Sequence, residues 1–220
     1  MQGEPDGKII NNSFSTRAPR INASQLRLLW YDAGLGCFGK LALYLFLFSA
    51  GFFALGWYIP SGLFAVFALL MTIFTALLVR NAKSISENAL LCPGVVVSES
   101  PLRILVMAEM GTGLTEDTLL ALKVLEFEKL PCHAGRLGEI IPFVSSFTPG
   151  KEPHRWADFA PDPISFATGN LQSIQECLSR FDADELTILN RHYRENKYPE
   201  KPNELMWLEP IKNNKNSAQG

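Results

Sequence analysis

The sequence is short of charge in one place and short of reactive pattern throughout. From Leu41 to Val79, 39 consecutive residues include no Asp, Glu, Lys, Arg or His. Ionisable groups inside a membrane mark ion and proton paths, so a run without any reads as an anchor rather than a conduit. Clustered Lys and Arg are missing too. Residues 84–220 carry 13 Lys/Arg against 19 Asp/Glu. An acidic segment does not displace counterions from a polyanion, which excludes nucleic acid as a partner. Cysteine is sparse: Cys37, Cys92, Cys132 and Cys177 show no short repeated spacing. That excludes a dense disulfide framework and fits a reducing compartment. There is no G-x-S-x-G nucleophile elbow and no internal repeat.

What the uncharged run does have is length. As a single helix it would extend about 58 Å, against a hydrocarbon core of about 30 Å that roughly 20 helical residues cross. Tilts of about 20° cannot absorb the excess, so the chain must fold back. Trp57-Tyr58-Ile59-Pro60-Ser61-Gly62 offers a proline, a glycine and two interfacial aromatics for the turn. The expectation is a transmembrane hairpin over 41–83, with spans of about 41–59 and 62–79. A secretory signal is not the expectation, because the first 20 residues are polar and include Glu4 and Asp6, and the apolar run is far too long for a signal's apolar region. Arg27 and Lys40 precede the first span, and Arg80 and Lys83 follow the second. The positive-inside rule then puts both termini in the cytosol. Ala68, Thr72 and Ala76 recur at four-residue spacing in the second span; Ala50 and Ala54 share a face in the first, with Gly51 and Gly56 nearby. Such small residues let helices approach closely, either closing the hairpin on itself or docking a second copy or a partner.

Outside the bilayer, residues 1–22 are polar and read as a disordered tail. Residues 23–40 read as a juxtamembrane helix, with Leu26, Leu29 and Trp30 on its apolar side, followed by a glycine-rich joint. Residues 84–196 read as a cytosolic α+β domain and 197–220 as a C-terminal tail, in which Leu205, Met206, Trp207 and Leu208 are the segment able to dock. Strands are expected at Gly94–Val97 and Arg103–Met107 as a hairpin, over Leu120–Leu130, where a helix is the alternative, and at Gly138–Val144 with Pro142 at a bulge or edge. A shorter strand is expected at Ile164–Ala167. Leu171, Ile174, Cys177, Leu178 and Phe181 then recur at helical spacing, and Asp182 with Glu185 forms a capping box for a second helix. The fold class is therefore a membrane protein: a two-helix transmembrane hairpin followed by a small cytosolic α+β domain of antiparallel strands, open or closed into a small barrel, and then two helices.

Each candidate for chemistry has a plainer reading. Gly34-Leu35-Gly36-Cys37-Phe38-Gly39 matches G-x-G-x-x-G, but a transmembrane segment follows where a soluble βαβ unit is required; a flexible joint is the expectation. Cys132-His133 lacks paired zinc spacing and would need Cys92, Cys177 or His154 to converge on it. Gly111-Thr112-Gly113 could cradle a phosphate, but Glu109, Glu116 and Asp117 crowd it with negative charge. Arg136, Glu139, His154 and Asp158, with Arg155, Trp156 and Asp162 beside them, could assemble an acid/base pair if the fold gathers them into one pocket; a solvated loop with one Trp packed on the core is the plainer reading. No catalytic, cofactor-binding or metal-ligating residue is assigned.

The stretch Cys92–Glu195 carries Cys92-Pro93-Gly94-Val95-Val96, then Arg136-Leu137-Gly138-Glu139-Ile140-Ile141-Pro142, then Trp156 and Pro161-Asp162-Pro163-Ile164-Ser165-Phe166-Ala167-Thr168. It resembles an uncharacterised bacterial family, a domain of unknown function found in small membrane proteins. Where the family pattern reads closer to Pro-Ile-Ala-Trp-Gly, this chain has Pro163-Ile164-Ser165-Phe166-Ala167. The resemblance implies a bacterial inner-membrane protein and brings no activity, cofactor or catalytic residue. The functional expectation is a non-enzymatic module anchored in the bilayer, whose cytosolic domain binds a protein partner or its own copies. An accessory subunit of a transporter or channel complex, or an enzyme acting near the membrane, are the alternatives.

Overall fold

The structure, a computed structural model, describes residues 23–31, 33–111, 117–152 and 154–212. Residues 1–22 (the expected N-terminal tail), 32, 112–116, 153 and 213–220 lie outside the described residues. Three helices come first: α1 (Gln25–Tyr31), α2 (Ala33–Ala54) and α3 (Tyr58–Asn88). The strands β1 (Leu90–Glu99), β2 (Leu102–Glu109), β3 (Asp117–Thr118), β4 (Leu120–Phe127), β5 (Ile140–Pro149) and β6 (Trp156–Pro163) follow. The chain then forms α4 (Ile164–Ala167), α5 (Leu171–Leu178), α6 (Ala183–Arg194), β7 (Leu205–Trp207) and β8 (Ile211–Lys212).

Helices α2 and α3 are long and apolar enough to cross a membrane. They fold back on each other, but not at Pro60. The turn is Leu55–Trp57, where Gly56 adopts φ +75 and its amide donates to the Phe53 carbonyl while Trp57 N donates to Phe52 O. This is a Schellman cap, in which glycine occupies the left-handed position without a Cβ clash. Pro60 instead lies in the first turn of α3, where a missing amide leaves no acceptor unmet; the first i→i−4 bond is donated by Ser61 to Trp57. The two helices are tied by reciprocal bonds, Ser49 Oγ to Ser61 O (2.9 Å) and Ser61 Oγ to Ser49 O (3.0 Å). Phe52 stacks on Phe64 at 5.4 Å, and Phe38 meets Phe74 edge-on at 5.5 Å. Ala68 is buried in this contact, whereas Ala50, Gly51 and Ala54 face outward.

The domain is a six-stranded antiparallel sheet in the order β6-β5-β1-β2-β4-β7. The β1–β2 hairpin and the strand character of Leu120–Phe127 match the expectation. The sheet includes Leu205–Trp207, so it draws on the chain beyond residue 196. Both faces of β2 are covered, which is why it reads as one apolar run. Ile104, Val106 and Ala108 point to the inner face with Val96, Ile141, Phe143 and Phe159; Leu105 and Met107 point to the other face, under Leu189 of α6. Burying each large side chain contributes about 1.5–3 kcal/mol. Pro142 faces Pro93 across β1–β5, one residue before β6 pairing begins at Phe143 and β2 pairing begins at Gly94. Each missing amide therefore faces a flank with no strand. Gly94 is obligatory for a different reason: a Cβ there would lie 2.6 Å from the Phe143 ring.

The sheet curls until its edges approach. Trp156 N donates to Met110 O, Gly111 bridges to Arg155, and the Arg155 guanidinium lies 3.7 Å from the centre of the Trp207 ring. Inside the curl, Lys123 of β4 donates to Asp158 Oδ1 and to Phe159 O of β6, both at 2.6 Å. The expected strand at Ile164–Ala167 is instead a single helical turn, closed by Thr168 N donating to Ile164 O. A strand offers two faces; this turn sends Ile164, Phe166 and Ala167 into three different clusters. Asp182 caps α6 as expected, though its Oδ1 accepts from the Asp184 amide.

Candidate functional site

The structure does not bring Arg136, Glu139, His154 and Asp158 together. Glu139 precedes β5 and His154 lies past its far end. Ten strand residues separate them, roughly 30 Å at 3.3 Å each. Asp158, on β6, is held by Lys123 of β4. Arg136 is exposed, and its backbone amide donates to Glu139 Oε2 at 3.2 Å. Arg155 pairs with Glu152 at 3.1 Å, and Trp156 packs on Phe147. The pocket on which acid/base chemistry depended is not formed.

Cys132 and His133 also part company. His133 Nδ1 lies 3.0 Å from Glu139 Oε1, which further accepts from the Ala134 amide. Burial pushes the Glu139 carboxyl up, but the His133 ring and the amides of Arg136 and Ala134 outweigh it and hold the group below the ordinary carboxylate range. Cys132 is exposed and receives the Arg27 guanidinium at 3.8 Å. Cys92 and Cys177 are buried in other clusters, and among the described residues no three His, Cys, Asp or Glu side chains gather. Of the glycine loop, Gly111 bridges to Arg155, and 112–113 lie outside the described residues.

The G-x-G-x-x-G run lies within helix α2 and is not a flexible joint. A Cβ on Gly36 would sit 3.1 Å from the Leu29 carbonyl oxygen, and one on Gly39 would sit 3.0 Å from Leu29 Cδ1. The missing side chains let α1 pack directly on α2. The buried side of α1 is Leu28 with part of Leu29, while Leu26 is exposed; the side chain of Trp30 lies outside the described residues.

The best-built polar region was missed from sequence. It is a seam that fixes α1, and through it the hairpin, to the domain. Ser24 N donates to Ala167 O (2.8 Å), and Arg27 Nη2 donates to Ser165 O (2.9 Å). Tyr31 stacks on Phe166 at 6.0 Å with the Arg27 guanidinium over its ring. Ala23, Leu28, Val79 and Ala167 form an apolar cluster beneath. Arg27 Nε and Ser165 Oγ are buried with no hydrogen-bond partner among the described residues. Arg27 had counted only as a charge near a membrane; an arginine in an otherwise apolar helix was the available signal. A second feature is Glu185, almost fully buried on α6. Burial, then Asp182 and Glu109, push its carboxyl up to about 8, against a downward pull from the Asp182 amide.

One surface has the form of a binding site. An open cleft of about 1260 Å³ runs between α6 and the chain following β7, with Arg191, His192, Lys197, Tyr198, Met206 and Trp207 among its walls. It adjoins β7, which stands at one end of the sheet order. Edge strands offer unpaired amides and carbonyls to an added strand.

A family model described as a protein of unknown function (DUF3239) matches residues 79–195. No curated protein matches the chain. A crystal structure of a candidate membrane protein from Corynebacterium diphtheriae is similar over 54% of this chain and 99% of its own, with 20% identity and a TM-score of 0.46.

Proposed function

Since this chain belongs to the DUF3239 family, whose function is unknown, no activity comes with membership, and we propose that it is a membrane-anchored interaction module. The hairpin sits in a bacterial inner membrane, both termini are cytosolic, and the domain presents the α6–β7 cleft to a protein partner. The observation that carries the reading is where apolar surface is left bare. Phe46, Phe53, Leu55, Leu63 and Leu69 of the hairpin are each more than half exposed, while Ile104, Leu105, Met107, Leu122, Phe143 and Phe159 of the sheet are buried. Patches of that extent mark membrane or protein contact. The dispersal of Arg136, Glu139, His154 and Asp158 favours binding over catalysis. The outward Ala50-Gly51 face and Ala54 give the hairpin its own means of meeting a second copy.

Carbonate washing of membranes tests the anchor: the chain should stay in the pellet. A variant keeping only Cys132, which is exposed, should react with a membrane-impermeant maleimide in inverted vesicles and not in intact cells. Labelling from outside would overturn the orientation. Crosslinking in native membranes should give discrete adducts through α6 or β7; a purely monomeric species would refute partner binding.

A further inference from the structure

An apolar groove of about 1200 Å³ runs along the hairpin between α2 and α3, and α1 closes one side of its cytosolic end. Small residues make it deep: Gly39 and Ala42 on α2, Ala65, Ala68 and Ala76 on α3. It extends from Ala65 to Arg80, roughly 22 Å at 1.5 Å per residue, which is more than the depth of one leaflet in a core of about 30 Å. Leu26 of α1, 73% exposed, overhangs it. The groove is open along its side to the surroundings of the hairpin, so flexible hydrocarbon can lie along its whole length.

The two ends differ in chemistry. The inner end is wholly apolar, while the cytosolic end carries Arg80 and Gln25. Arg80 is exposed and has no carboxylate partner among the described residues. A guanidinium at headgroup level forms paired hydrogen bonds with any phospholipid phosphate, and its positive charge favours a headgroup of net negative charge over a zwitterionic one. We propose that this groove holds one anionic phospholipid of the cytosolic leaflet, its chains along α3 and its headgroup on Arg80. The proposal rests on the membrane reading above.

The full-length chain reconstituted in nanodiscs of equal parts phosphatidylglycerol and phosphatidylcholine, then released for native mass spectrometry, provides the test. The wild type should retain one phosphatidylglycerol in preference to phosphatidylcholine. Arg80→Ala should lower that preference roughly fivefold, the worth of one cation beside an anionic surface. Ala76→Phe, which fills the groove and leaves Arg80 in place, should release the lipid of either headgroup. Equal retention of both lipids by the wild type, or undiminished retention by Ala76→Phe, would overturn the proposal. So would a dimer crosslinked through the groove. Release of the chain by carbonate would sink the membrane reading itself, whereas a chain that stays in the pellet and shows no preference sinks only this one.

Discussion

Raising the pH should loosen α6 from the sheet, and Glu185 sets the window. The side chain is 4% exposed. Burial first, and then the charges of Asp182 and Glu109, raise its carboxyl from 4.5 to about 8, with the Asp182 amide pulling the other way. The same group titrates near ~4.3 in an unfolded chain. Between these values the folded protein holds a proton that the unfolded chain has released. Stability therefore falls as pH rises through the window and levels off above about 8. At ~1.4 kcal/mol per pH unit the whole window is worth at most about 5 kcal/mol, and the step from about pH 6 to about pH 8 roughly 2 kcal/mol. In a chain of this size ~1 kcal/mol moves Tm by about 2–4 °C, so this group alone lowers Tm by about 4–8 °C over that step. Glu185→Gln keeps a carbonyl oxygen for the Asp182 amide and removes the proton. Thermal scans of the full chain in detergent, followed by circular dichroism, should show the variant gaining on the wild type by that amount between the two pH values. Parallel profiles would mean that the buried carboxyl is not held neutral, and the electrostatic account of α6 would fail.

Two further outcomes follow from buried cations. Lys123→Met leaves the Phe159 carbonyl unpaired inside the curl, while Asp158, half exposed, can rehydrate. A loss of about 2 kcal/mol is expected, read as a lower urea midpoint, and an unchanged midpoint would deny that Lys123 pins β4 to β6. Arg27→Ala should speed amide exchange in α1 and at Thr168 while leaving β2 and β4 protected, and uniform protection across the chain would show that the seam does not depend on Arg27.

How much of this was legible depended on whether a signal was local. The hairpin was, because 39 uncharged residues have few soluble alternatives. Its turn was misplaced because Pro60 and Gly56 are both breakers, and only the helix start decides which one breaks. β2 declared itself by composition, whereas β4 read as a strand only by the alternation of Leu122, Val124, Leu125 and Phe127 with charged residues, with a helix as the alternative. β6 did not: Pro161, Pro163, Asp158 and Asp162 made it look like a loop, yet an edge strand tolerates all four. Lys123 looked like the solvent side of an alternating strand, and the curl that buries it is a property of six strands together. The candidate site failed for the same reason. Nearness of Glu139 to Arg136 is local, whereas the distance to His154 is set by the length of β5. Arg27 was visible as a charge but not as a contact, since its partners at Cys132 and Ser165 lie more than 100 residues away.

Helix α3 has 31 residues, about 46 Å of rod against a core of about 30 Å, and only Ala89 separates it from β1. In a bilayer the domain thus has a fixed altitude and a fixed heading relative to the lipid surface, with no tether on which to wander. A binding face held this way meets ligands only within a thin layer, so a soluble partner encounters it seldom and a partner of matching height encounters it often. The orientational freedom that a flexible linker would surrender on binding is already gone. Inserting a few Gly-Ser residues at Ala89 would lengthen that joint, but the α1 seam through Arg27 and Ser165 would still hold the domain; only the insertion combined with Arg27→Ala would restore that freedom.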